Sequence, residues 1–166
     1  MRCQPVLVGI LPAIALLAMP TEAAVTVAFV DPAFFTDADD STGNSTRTLL
    51  EIKRHLERLG ARYLQPKDSL KIEVLNVDLA GRRQSLWSMT SDVRFATGDA
   101  DWPRIELRYT LGAESGVPKP VQETVVDMAY LRRVFEPEYV SDPLQYEKRM
   151  LDNWFKARFV EHRPPR

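Results

Sequence analysis

Hydrophobic positions recur along this chain at two spacings, and the spacings mark out its elements. Val25 to Val30 reads VTVAFV, β-branched and apolar, with Val25, Val27 and Phe29 on one face of a predicted strand. Asp31-Pro32 stops it. Apolar residues then fall at Leu49, Ile52, Leu56, Leu59 and Tyr63, steps of three and four that make one helical stripe. Thr48 with Glu51 suits a capping box, although Asn44 or Ser45 would also serve as a start, and Gly60 weakens the end. Leu70 to Leu79 (LKIEVLNVDL) is a second strand. Leu70, Ile72 and Val74 face one way and Leu75, Val77 and Leu79 the other, which suggests a central position.

Val93 to Ala96 is a short strand candidate. From Arg104 to Leu111, Ile105, Leu107, Tyr109 and Leu111 alternate with polar partners, the clearest strand of the chain. Gly112 to Gly116 suits a hairpin, and Val117 to Val126 returns, its prolines Pro118 and Pro120 confining its start to an edge. Asp127 to Phe135 reads as a helical turn. Asp142 and Pro143 open a last helix that buries Met150, Leu151, Trp154, Phe155 and Phe159. The order β-α-β-β-β-β-α predicts an α+β fold, a mainly antiparallel sheet with two principal helices packed on it. If the first two strands are parallel neighbours, their crossover should be right-handed.

The N-terminus has a different pattern. Arg2 is followed by an uncharged apolar run from Val6 to Met19, and then by Pro20, Thr21, Glu22 and Ala23. Thr21 and Ala23 supply small residues for a cut before Ala24, and the run is shorter than the ~20 residues of a membrane span. A retained anchor is the alternative, opposed by Pro12 within the run. The expected organisation is a signal peptide over residues 1–23, one domain over 24–160 and a disordered tail over 161–166, with a periplasmic or secreted product. The single cysteine, Cys3, leaves with the leader and precedes the apolar run, so neither a disulfide nor a lipoprotein anchor is expected. A net charge of −1 argues against nucleic acid and anionic lipid. Asn44-Ser45-Thr46 matches a glycosylation sequon, which matters only in a cell with an endoplasmic reticulum.

The runs VAFVDPAFFTD, VDLAG, PRIELRY and YEKRMLDNWF, spaced from Val25 to Phe159, resemble a bacterial family, domain of unknown function 3016. The resemblance implies a short exported protein and assigns no activity, cofactor or catalytic residue. It also implies an acid two residues before the aspartate of the DLAG run, where this chain has Asn76.

No nucleophile elbow, zinc-protease motif or P-loop is present. His55 reads as a solvent-facing helical histidine rather than a catalytic base. Asp31, Asp37 and Asp78 follow the first two strands, and parallel strands would carry them to one sheet edge, where Ca²⁺ or Mg²⁺ could bind. The run DADDSTGN has its glycine out of place for an EF-hand, and turn-forming aspartates are the plainer reading. Arg82 and Arg83 follow Gly81, and Arg94, Arg104 and Arg108 are candidates for a shared sheet face. Arg94 and Arg104, with Trp87 as an exposed anchor, could recognise a partner. Trp154 belongs to the core. The sequence thus supports a non-enzymatic periplasmic or envelope-interaction module that binds an envelope protein or a glycan. It has no cofactor and does not insert into the membrane once the leader is cut. The alternative is a divalent-metal-dependent protein, a hydrolase among the options, built on Asp31, Asp37 and Asp78.

Overall fold

The computed structural model describes residues 24–40, 42–84, 93–98, 100–112, 119–132 and 142–165. The leader segment 1–23 and Trp87 lie outside them. The fold is α+β. Strand β1 (Ala24–Phe29) leads through a short 3-10 helix (Pro32–Phe34) to helix α1 (Ser45–Tyr63). Strands β2 (Ser69–Asp78), β3 (Arg82–Gln84), β4 (Val93–Phe95), β5 (Arg104–Gly112) and β6 (Val121–Val126) follow, then helix α2 (Gln145–Phe155). A π-helical turn, Lys156–Val160, extends α2 and keeps Phe159 buried.

The main sheet has the order β1-β2-β5-β6. β1 and β2 are parallel, and the other pairs are antiparallel. β3 and β4 form a separate two-stranded sheet. The sequence pattern contains no signal for β3, because Arg82-Arg83-Gln84 buries no apolar side chain that would mark a period.

β2 carries the main departure from simple alternation. Val74 pairs with Leu107 and Asn76 with Glu106, so Leu75 is an extra residue on that side of the ladder. Such a bulge re-phases the strand. Leu70, Ile72 and Val74 before it and Val77 and Leu79 after it all enter one core. β2 is central, as expected, but its two apolar sets do not face opposite ways.

Helix α1 begins at Ser45, with the Asn44 side chain accepting the Thr46 amide. Thr48 is not its cap and is buried within it. Gly60 has a packing role: a Cβ there would stand 1.9 Å from Val25 Cγ2, so α1 lies on β1 only because that atom is missing. Both helices contribute to the core. Ile52, Leu56 and Leu59 of α1 join Leu151, Trp154 and Phe155 of α2 over Ile72, Val74, Ile105 and Leu107. Each such burial of an apolar side chain contributes about 1.5–3 kcal/mol. Tyr109, Trp154 and Phe159 pack edge-on with centroids 5.5–5.6 Å apart. The opposite sheet face is polar, with Arg108 between Glu73 and Gln122. No helix among the described residues is long and apolar enough to cross a membrane.

Candidate functional site

The parallel strands β1 and β2 finish at the same sheet edge, and a crevice outside such carboxyl ends is a common ligand position. After β1 the chain passes the 3-10 helix and returns to that edge. The Asp37 amide donates to the Val77 carbonyl at 2.9 Å, and the Leu79 amide donates to the Asp37 carbonyl at 3.1 Å. Asp37 and Asp78 are therefore bridged through the backbone. The topology had predicted this meeting.

Neither carboxylate stands alone. Arg94 grips Asp37 with both terminal nitrogens and also donates to the carbonyls of Asp39, Ala80 and Gly81. Asp78 faces Arg104 at 3.4 Å across the open sheet face. Burial pushes the Asp78 carboxyl up, and the Asp37 charge adds to this, against the pull of Arg104 and Arg94. Asp31 sits apart from this pair, in the left-handed region at φ 50, where it starts the 3-10 helix without a side-chain cap. Among the described residues no three His, Cys, Asp or Glu side chains group as a metal site. The arginines do not share one face. Arg82, Arg83 and Arg94 belong to the small sheet, and Arg104 and Arg108 to the main one.

Arg94, with Asp39 and Asp40, forms part of one wall of a cleft of about 600 Å³ between the start of α1 and the start of α2. Its other walls come from Arg47, Thr48 and Glu51 of α1, from Leu79 and Ala80 after β2, and from Asp142 to Lys148. The start of α2 supplies three consecutive buried charges, each drawn to a different element. Glu147 accepts the Ala80 amide at 2.7 Å. Lys148 holds Asp142 at 2.5 Å and Glu51 at 3.4 Å. Arg149 donates to the Tyr130 carbonyl and lies over the Tyr146 ring. One helical turn on, Asp152 receives His55 Nε2 at 2.8 Å. His55 is only 2% exposed, not solvent-facing as its neighbours in sequence suggested, because α2 covers that side of α1.

The local electrostatics follow from these contacts. Burial raises the Glu147 carboxyl, outweighing the Ala80 amide and the charge of Arg94. Burial works the same way on Asp142, but the Lys148 ammonium outweighs it and keeps that group below the ordinary carboxylate range. The two acids of the cleft are thus shifted in opposite directions. Sequence reasoning missed Glu147, Lys148 and Asp152, which look like a solvated helix face. Their only signal was their place inside the YEKRMLDNWF run.

Residues 23–157 match the family described as Protein of unknown function (DUF3016), and the chain belongs to it. No curated protein matches the chain. Two of the runs that carry the resemblance meet in this cleft: VDLAG supplies Leu79 and Ala80, and YEKRMLDNWF supplies Glu147 and Lys148.

Proposed function

We propose that the protein is an exported, non-enzymatic envelope module that binds a small polar ligand, a glycan fragment by preference, in the cleft between α1 and α2. One observation carries the binding half. The groups best suited to chemistry, namely Asp37, Arg94, Glu147, Lys148, His55 and Asp152, are all engaged by other parts of the protein. The space beside them stays open at about 600 Å³, the size of a small-molecule site. Arg47, Gln145 and Tyr146 on its walls offer guanidinium, amide and phenol groups suited to hydroxyl-rich ligands. The export half rests on the sequence: the Arg2 start, the apolar run to Met19 and the small residues Thr21 and Ala23.

Two measurements test the two halves separately. N-terminal sequencing of the protein from a bacterial periplasmic fraction should read Ala-Val-Thr-Val. Recovery only in the cytoplasm with Met1 intact would remove the export claim. A ligand that binds only the folded state must stabilise it by mass action, by about 2.7 kcal/mol at a hundred times Kd, and so raise its melting temperature. Peptidoglycan fragments and neutral oligosaccharides should include at least one compound that does so, and substituting Tyr146→Ala should abolish the shift. A flat response to the whole set defeats the glycan reading.

A further inference from the structure

Among the described residues β1 is an outer strand, with β2 on one side only. The Ala24 amide donates to the Asp68 carbonyl and the Val30 amide to the Val74 carbonyl, and the register between them is unbroken. In a parallel ladder, alternate residues turn both N–H and C=O toward the same neighbour. Ala24, Thr26 and Ala28 therefore bond β2, and the backbone groups of Val25, Val27 and Phe29 point away from it. Among the described residues no hydrogen bond reaches these outward groups.

Natural sheets blunt such an edge with lysine, proline, a bulge or an inward charge. The opposite outer strand, β6, has two of these devices. Pro120 precedes it, and Glu123 points inward to Trp154 and Arg158. β1 has none. Its sequence, AVTVAF, contains no charge, proline or glycine, and it pairs with β2 without a bulge. Just beyond it Val30 is 40% and Phe34 87% exposed, apolar surface beside an open ladder.

We propose that β1 joins two copies of this chain, paired antiparallel about Val27 on a two-fold axis. The register follows from the direction of the free groups. Setting Val27 opposite its own counterpart and Val25 opposite the second copy's Phe29 matches donor to acceptor at every outward residue, about six hydrogen bonds in all. A second copy fits better than a charged peptide, because β1 has no charged side chain and the two Ala24 amino groups lie at opposite ends of the pairing, so no like charges are opposed. Thr26 and Ala28, both small and exposed, meet across the axis on the open face. Two four-stranded sheets become one, and both exposed edges disappear.

The test uses protein purified after bacterial expression of the full-length gene, so that processing is natural, and sedimentation equilibrium over a wide concentration range. Wild type should show a monomer–dimer equilibrium. Thr26→Lys with Ala28→Lys places new lysines directly opposite each other at this register, and should weaken dimerisation about ten-fold or more without changing the monomer's melting. Thr26→Glu with Ala28→Glu should do the same, and an equimolar mixture of the two variants should restore the dimer. A wild type that stays monomeric throughout overturns the proposal, as does a lysine variant that dimerises as wild type does. If the variants fold poorly, hydrogen exchange on wild type decides. The amides of Val25, Val27 and Phe29 should become protected as concentration rises, and concentration-independent exchange there overturns the pairing. Because the cleft plays no part, ligand binding and dimerisation can fail independently.

Discussion

Arg94 and Asp37 close a two-pronged ion pair, Nη1 to Oδ2 at 2.9 Å and Nη2 to Oδ1 at 3.1 Å. The same guanidinium reaches the carbonyls of Asp39, Ala80 and Gly81 at 3.0–3.3 Å. One side chain on a three-residue strand thereby fastens the loop after β1 to the end of β2. Removing it leaves the half-buried Asp37 carboxylate and three carbonyls without their donor.

Arg94→Ala should therefore cost about 2–4 kcal/mol, seen as a lower urea midpoint. Arg94→Lys should recover little of this, because an ammonium is a point charge and cannot span both carboxylate oxygens. A lysine variant as stable as wild type would show that charge alone, not the fork, matters at this position.

Glu147 supplies a prediction of opposite sign. Burial raises its carboxyl above the ordinary glutamate value, so the folded state holds the proton more tightly than the unfolded chain does. Its contribution to stability is full below the unfolded value of about 4.5 and falls as pH rises through the higher folded value. Glu147→Gln keeps an oxygen for the Ala80 amide and has no proton to lose. The variant should match wild type near pH 4 and exceed it increasingly toward neutral pH. Chemical denaturation across that range checks it, and a gap that stays constant with pH would contradict the assignment.

The elements that were legible in the sequence are those where one period runs uninterrupted. β1, β5 and the α1 stripe needed no tertiary information, and neither did the core residues of α2 from Met150 to Phe159. β2 was legible as a strand but not in its facing, because Leu75 inserts a residue and shifts the alternation. Asn76, just after the bulge, uses its side chain to hold the Thr36 amide and hydroxyl, which a carboxylate could do by accepting from both. The acid that the resemblance implies at this position would thus hold the same loop. The approach of Asp78 to Asp37 was legible because it follows from β-α-β topology. Arg94 as the partner of Asp37 was not, since no local pattern connects residues that far apart. Glu147, Lys148 and Arg149 cannot all lie on one helix face. They are buried because β2, α1 and the turn at Tyr130 close in from different sides.

The two aspartates that meet at the strand ends bear on divalent ions. Both Asp37 oxygens face Arg94, and Asp78 faces Arg104. Adding Ca²⁺ or Mg²⁺ at millimolar concentration should leave the melting temperature of wild type unchanged, because an ion would first have to displace a guanidinium. A clear upward shift, abolished by Asp78→Asn, would restore the metal reading.

Asp101 gives the clearest acid-side prediction. Burial would raise its carboxyl, but the Tyr130 hydroxyl at 2.6 Å, the Thr97 amide and hydroxyl, and the Gly98 amide outweigh it and hold the group at about 2. The carboxylate ties the loop at Thr97 to the turn at Tyr130, and its own carbonyl accepts the Gly81 amide at 2.8 Å. A depressed folded value means that the stabilisation is present above the ordinary carboxylate range, near pH 4, and is lost as pH falls through about 2. Asp101→Asn turns an N–H₂ group toward backbone donors and forfeits part of the network at every pH. Wild type should be clearly more stable than the variant at neutral pH, and the gap should close between about pH 4 and pH 2. Tyr130→Phe removes one of the bonds that depress the group, so its deficit at neutral pH should be smaller and should narrow over the same window. Denaturant midpoints for the three proteins at successive pH values decide the matter. A gap between wild type and Asp101→Asn that persists unchanged into strong acid would mean that the charge on Asp101 contributes nothing to holding these segments together.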